Sequence, residues 1–288
     1  MSDIWQYLFR AEGRPLLYAF LFLLLAAPSF GTMGVYVSLK NYNAGIGTIS
    51  HASLLGLGLA KYADYHWGWS FFTPFLGMLL ISCTTAIMLF WLQSHQTIRT
   101  GTLLNVVWST GMAIGSLLLQ TVPGGVSMHS YLWGNILIVQ NSDLWGLVAL
   151  NVVIFLVLIL PWRYHQLIMF DEEFAKSRGM ATQVYAFIFY LLISYSIIVV
   201  ISAVGILLSL GLFSIPSAIA HLFARNLRQM ILYAGVVLLL SSWLGLFISV
   251  ETNTTPGSFI IVILSAIYVL LGTGKYLVRV RFRRVKLS

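Results

Sequence analysis

Charge is what this chain has least of. Asp, Glu, Lys and Arg make up 8% of its 288 residues, against about 25% in an ordinary soluble domain. Apolar residues make up 59%, and the mean hydropathy is +0.90. No stretch of soluble-domain composition is long enough to form a separate domain. Cysteine is nearly absent too: Cys83 is the only one. That excludes an intramolecular disulfide and a cysteine-built metal site, and Cys83 reads as a small apolar residue in a helix bundle. Acidic residues are missing from the middle of the apolar runs, since Asp64, Asp143 and Glu251 fall near their ends. Proton-driven carriers place carboxylates at mid-membrane, so this gap argues against a pump of that kind. The N-terminal apolar run is too long for a signal-peptide core and lacks a small-x-small cleavage site. Finally, no catalytic motif is present. Gly272-Thr-Gly-Lys-Tyr276 lacks the first glycine of a phosphate loop, with Val269 in its place, and the Ser or Thr after the lysine. There is no His-Glu-x-x-His, no Gly-x-Ser-x-Gly and no nucleophile–base pair. The expectation is a chain with no catalytic residues, no cofactor and no nucleic-acid partner.

What is present is a series of apolar runs. One membrane-crossing helix needs about 20 apolar residues. Runs at 16–37, 48–63, 71–92, 102–121, 143–162, 184–200, 201–215, 230–250 and 257–276 predict an all-α polytopic membrane protein of eight or nine transmembrane helices, one of them broken. Residues 128–140 are too short and polar to cross, and predict a half-helix or re-entrant segment lined by protein. The whole of 1–288 reads as a single membrane domain. Lys and Arg set its orientation. With the N-terminus outside, Lys40, Arg99, Arg163, Lys176, Arg178, Arg225, Arg228, Lys275, Arg279, Arg281, Arg283, Arg284 and Lys286 are cytoplasmic, and only Arg10, Arg14 and Lys61 are external. The C-terminus is then inside, and 277–288 is a cytoplasmic basic tail that anionic membrane lipid would attract.

Three segments carry candidate function. His51 opens the second run in a Gly- and Ser-rich setting, and an ionisable residue there is a functional candidate; its imidazole suits zinc, manganese or iron, or simply bonds a neighbouring helix. Residues 170–179 place acids before bases, as a short dipole-complemented helix would. In 204–228, Pro216 predicts a turn and Ser217 a cap for a following helix. That helix, 216–228, would carry Ala220, Phe223, Ala224 and Leu227 on one face, with Arg225 and Arg228 beside it. A short apolar stripe with basic edges fits a groove on a soluble cytoplasmic partner.

Five segments, in order and spread over almost the whole chain, resemble the membrane permease subunit of bacterial ABC importers for zinc, manganese and iron. They are Ser50-His-Ala-Ser-Leu-Leu-Gly56, Ser130-Tyr-Leu-Trp-Gly-Asn-Ile-Leu137, Phe170-Asp-Glu-Glu-Phe-Ala-Lys-Ser-Arg-Gly179, Val204-Gly-Ile-Leu-Leu208 and Ile215-Pro-Ser-Ala-Ile-Ala-His-Leu-Phe-Ala-Arg225. The resemblance implies a multi-pass protein of the bacterial inner membrane. It implies a cytoplasmic ATP-binding subunit, a periplasmic or lipid-anchored metal-binding protein, and a second permease, identical or related. It makes 216–228 the coupling helix, with Pro216, Ser217, Ala220, Phe223, Arg225 and Arg228 facing the ATPase. The family pattern usually places an Asp four residues before the His; this chain has Gly47 there. His51 therefore lacks its paired carboxylate, and Asn43 or Asn135 could supply an oxygen instead. The expectation is inward transport of a divalent transition metal by alternating access. The alternatives are a permease for a metal chelate on the same scaffold, or an ATP-independent carrier.

Overall fold

The structure, a computed structural model, describes residues 14–95, 100–123, 128–252 and 254–285. Arg10, Arg99 and Lys286 lie outside the described residues, as do the side chains of Arg279, Arg281, Arg283 and Arg284. The described residues form helices and no strand: α1 (Arg14–Leu39), α2 (Asn43–Trp67), α3 (Pro74–His95), α4 (Thr100–Gln120), α5 (Met128–Trp133), α6 (Asn141–Ile154), α7 (Trp162–Phe170), α8 (Glu172–Ser177), α9 (Thr182–Val204), α10 (Ile206–Phe223), α11 (Leu227–Thr252) and α12 (Pro256–Val285). Eight helices are long and apolar enough to cross a membrane, α6 reaching that length with the π-helical turn Phe155–Ile159. The exception among the long helices is α2, which carries His51, Lys61 and Asp64 among its glycines and serines.

The buried core runs through α1, α9 and α10. Helix α1 packs against α6, α10 and α11, while α2 is wedged between α3 and α4. In lipid, helices gain little from burying apolar surface, and small residues that bring backbones together hold them instead. Gly56 of α2 lies against Gly77 of α3 so closely that a Cβ on either would overlap the other's carbonyl oxygen.

The expected half-helix is present. Helix α5 stops at Trp133, and a single 3₁₀ turn, Ile136–Ile138, follows. Gly134 (φ 59°) and Gly205 (φ 81°) meet backbone to backbone at this point. Both conformations favour glycine, and a Cβ on Gly205 would stand 2.6 Å from the Gly134 nitrogen.

One expectation is corrected. The chain does not turn at Pro216. Helix α10 runs unbroken from Ile206 to Phe223 with Pro216 buried inside it, and the break lies eleven residues earlier, at Gly205. Proline removes one backbone hydrogen bond, the one to the Leu212 carbonyl, and serine hydroxyls bond the carbonyls around it. Ser214 Oγ donates to the Leu210 carbonyl, and Ser217 Oγ donates to Phe213 and Ser214. Ser217 thus bonds backwards inside a helix and caps nothing.

A second local device follows α6. The π-turn 155–159 delivers the chain to Pro161, and buried His165 reaches back so that its Nε2 lies 2.6 Å from the Val157 carbonyl. A carbonyl only accepts, so Nε2 carries the proton. The ring is enclosed by Tyr36 and Tyr185 at 6.2 and 5.2 Å. Burial, opposed by the Val157 bond, pulls the imidazole below its ordinary value of 6.5. The unfolded chain therefore takes up a proton first as pH falls. His165 contributes stability fully present above pH 6.5 and lost as pH drops from there through the lowered folded value. Thermal unfolding followed from pH 8 to 5 should show the His165→Gln variant losing less stability than the parent below pH 6.5; parallel curves would refute this.

Candidate functional site

His51 sits on the third turn of α2, on a helix face that also carries Thr48. Gly47, one turn before it, leaves the face bare. The Trp108 ring of α4 fills that space. It lies flat on the His51 imidazole, with centroids 4.2 Å apart and planes 10° from parallel. A Cβ on Gly47 would touch Trp108 Cζ3 at 3.4 Å. The indole N–H is turned away to the Met112 sulfur at 3.2 Å. Thr48 Oγ1 lies 3.0 Å from the Ala44 carbonyl and 3.4 Å from the Leu104 carbonyl of α4. Where the metal-importer pattern has a carboxylate, this chain has an aromatic plane.

The His51 Nδ1 is buried and has no hydrogen-bond partner, and the Ser50 hydroxyl is in the same condition. Unpaired buried polar atoms are rare. Here they lie on consecutive residues of a helix that is otherwise satisfied. Among the described residues no three His, Cys, Asp or Glu side chains come together as a metal cluster. His51 can therefore offer one nitrogen to a passing cation, which suits transient contact better than storage.

Asn135 does a different job. Its side-chain oxygen accepts the Leu137 N–H at 3.0 Å, capping the 3₁₀ turn. It also lines a cleft of about 790 Å³ with Tyr131, Gln140, Asp143, Leu57 and Ser202. Tyr131 ties this cleft to α2. It is buried, and its hydroxyl lies 2.6 Å from the Ser53 hydroxyl, two residues beyond His51. The sequence reading missed both Tyr131 and Trp108. Only the fold brings α4 and α5 against α2.

At the opposite end of the bundle, three elements converge. Just past the end of α1, Lys40 Nζ reaches the Ile168 carbonyl at 3.3 Å and Glu172 at 3.4 Å. Glu172 also pairs with Lys176 at 3.0 Å. That hydrogen bond, with the Lys40 charge, holds its carboxyl below the usual carboxylate range against the opposing effect of burial. Asp171 caps α8 by accepting the Phe174 N–H. Residues 170–179 thus form the expected short helix, tied to α1. Nearby elements of this end are also joined: Lys275 of α12 donates to the Leu222 carbonyl at the end of α10 and stands 5.9 Å from the Phe223 ring. Arg228 of α11 lies 5.7 Å from the Trp162 ring.

The residues expected on a docking helix separate here. Pro216, Ser217, Ala220 and Leu227 are buried and Ala224 is half-buried, so the expected stripe is split: its two ends pack inward and Phe223 within it does not. Sequence spacing alone could not distinguish the inward members from a free face. Phe223, Arg225 and Arg228 are exposed. Phe223 is 51% exposed, and Phe170 and Phe174 at the same end are 67% and 43% exposed.

Comparison with known proteins places this arrangement. Residues 14–273 match the model of the ABC 3 transport family. The manganese import system permease protein ScaB of Streptococcus parasanguinis is 29% identical over 241 residues, covering 84% of this chain and 83% of that one. The manganese transport system membrane protein MntC of Halalkalibacterium halodurans is 27% identical, covering 83% and 80%. The structure of PsaBC from Streptococcus pneumoniae in complex with Fab shares the fold, with a TM-score of 0.80, 24% identity and 94% of each chain covered.

Proposed function

The chain belongs to the ABC 3 transport family, and from that premise we propose that it conducts a divalent transition metal, manganese first, into the bacterial cytoplasm. It is a multi-pass ABC permease, and the ATPase is a separate component. The manganese assignment draws on ScaB and MntC, similar over four-fifths of this chain. The observation that carries the reading is the unpartnered His51 nitrogen, buried on α2 beneath the Tyr131–Ser53 contact.

In this reading the 790 Å³ cleft receives the ion at the outer face, with Asn135 and Asp143 on its walls. The Tyr131–Ser53 hydrogen bond is the outer gate. Below it, His51 and Trp108 form the contact the ion passes. Neutral imidazole supplies one nitrogen, and the indole face attracts a cation without binding it tightly. A single weak contact favours rapid release over high affinity.

The basic end is the cytoplasmic side by the positive-inside rule, with the C-terminus there. The exposed phenylalanines 170, 174 and 223 then face the ATPase, with Arg225 beside them. The coupling segment is the last two turns of α10 and the link to α11. Pro216, Ser217 and Ala220 act from inside, by holding those turns in place. A metal-binding protein delivers at the opposite face, and a second permease completes the path.

The test is ATP-dependent uptake of manganese, zinc and iron isotopes into proteoliposomes holding this chain, its ATPase and its binding protein. Uptake of manganese, reduced at least about tenfold by His51→Ala, is expected; removing a direct contact to a charged ligand costs that much or more. Uptake unchanged in the variant would remove His51 from the path. Stimulated ATP hydrolysis with no uptake of any bare ion would replace the metal ion with a metal chelate as substrate.

A further inference from the structure

We propose that this permease holds one anionic phospholipid in the cleft between the end of α6, the start of α7 and the start of α11. The cleft has a volume of about 720 Å³, in the range of ligand sites. Its lining is mixed: Ile159, Ile231 and Leu232 are apolar, while Trp162, Arg163 and Arg228 bring donors. An apolar lining with two guanidinium groups and an indole matches a molecule with an acyl chain and an anionic head.

Three observations make the polar part a site. First, the Trp162 Nε1–H is buried and has no acceptor. An indole N–H that is buried usually finds a partner. Second, Arg163 and Arg228 have no acid partner: the ion pairs among the described residues are Lys40–Glu172 and Lys176–Glu172. Asp171 is engaged in capping α8, so the acids of this end are used elsewhere. Third, Arg163 and Arg228 are each the second residue of their helix, α7 and α11, where backbone N–H groups also favour an anion. Arginine suits a phosphate with its forked donors.

The cleft lies where the backbone departs from regular helix. The π-turn 155–159 and Pro161 separate α6 from α7, and residues 159–164 line the cleft with the start of α11. The phosphate sits between Arg163 and Arg228 and accepts from Trp162. One acyl chain follows Ile159, Ile231 and Leu232 toward the membrane interior. The lipid then braces α7 against α11 at the level of the headgroups. Arg228, read from sequence as an ATPase contact, serves this site.

The test is native mass spectrometry of the complete permease–ATPase complex after stepwise delipidation, with phosphatidylglycerol and phosphatidylcholine added in competition. One phosphatidylglycerol retained per permease chain is expected. Arg163→Gln with Arg228→Gln should weaken that retention roughly thirtyfold. Trp162→Phe, which keeps the ring and removes the donor, should weaken it severalfold in a protein that remains assembled. Arg281→Gln with Arg283→Gln in the basic tail should leave it unchanged. Equal retention of the two lipids would overturn the proposal, as would a cleft variant that binds like the parent. Displacement of the lipid by free glycerol phosphate at equal concentration would also overturn it, by showing that the acyl slot contributes nothing.

Discussion

Phe223→Asp abolishes ATPase docking and substrate-stimulated hydrolysis while the permease still inserts. This is the largest single-residue effect expected outside the ion path. Phe223 presents half its surface at the end of α10, and Lys275 anchors that end by donating to the Leu222 carbonyl and lying over the ring. Aromatic anchors at interface centres carry about 2 kcal/mol or more, so truncation alone weakens docking about thirtyfold. A carboxylate adds the cost of burying a charge against apolar surface. Lys275 can pair with the new carboxylate, which keeps the local fold intact and makes the loss specific to docking. Affinity of the purified ATPase for the reconstituted variant decides the matter. Binding within threefold of the parent, with hydrolysis still stimulated, would take Phe223 out of the interface.

The second large effect concerns Gly47. Gly47→Asp alone should lower stability and uptake together. Its Cβ fits against Trp108 at 3.4 Å, but the carboxylate beyond it is buried against an indole face with no donor, and an unpaired buried charge costs several kcal/mol. Combined with Trp108→Ala the result reverses. The vacated space lets Asp at position 47 and His51, one turn apart on one face, bind a divalent ion together. Affinity for manganese or zinc should then rise at least about tenfold above the parent, a charged ligand added to the neutral imidazole being worth more than one such factor. Equilibrium binding in detergent measures it. If the double variant binds no better than the parent, Trp108 is not what occupies the carboxylate's place.

The helices were legible in sequence because lipid forces a simple rule, about 20 apolar residues per crossing, and eight of the nine runs lie in helices that meet it, all but the one in α2. The half-helix at 128–140 was legible from its polarity, and α8 from its ordered charges. The break near 205–216 was assigned to the wrong residue. Proline breaks helices by default in water, yet inside a membrane bundle it is tolerated within a helix, and here Ser214 and Ser217 bond the carbonyls around the one it frees. Gly205, unremarkable as one glycine among 24, takes the positive φ that the break needs. The site was half legible. His51 was evident from its residue type, and the missing carboxylate from its spacing. Trp108 was not, because it comes from another helix 57 positions along, and nothing in its own neighbourhood marks it. Nor was the inward packing of Ala220 and Leu227, since a buried stripe and a docking stripe have the same period.

Pro216 has a mechanical meaning as well. A regular helix is a stiff rod, but α10 lacks one rung of its ladder at the Leu212 carbonyl, and the Ser217 hydroxyl bonds the neighbouring Phe213 and Ser214 carbonyls instead. Such a rod has a soft joint of known position. Phe223 lies seven residues past it, a lever arm of about 10 Å. A push on Phe223 is absorbed as bending at the joint before it can rotate the part of α10 that reaches Gly205. The stiffness of that joint therefore sets how much of a stroke at one face of the membrane arrives at the other. A stiffer joint, made by Pro216→Ala, would transmit more of it.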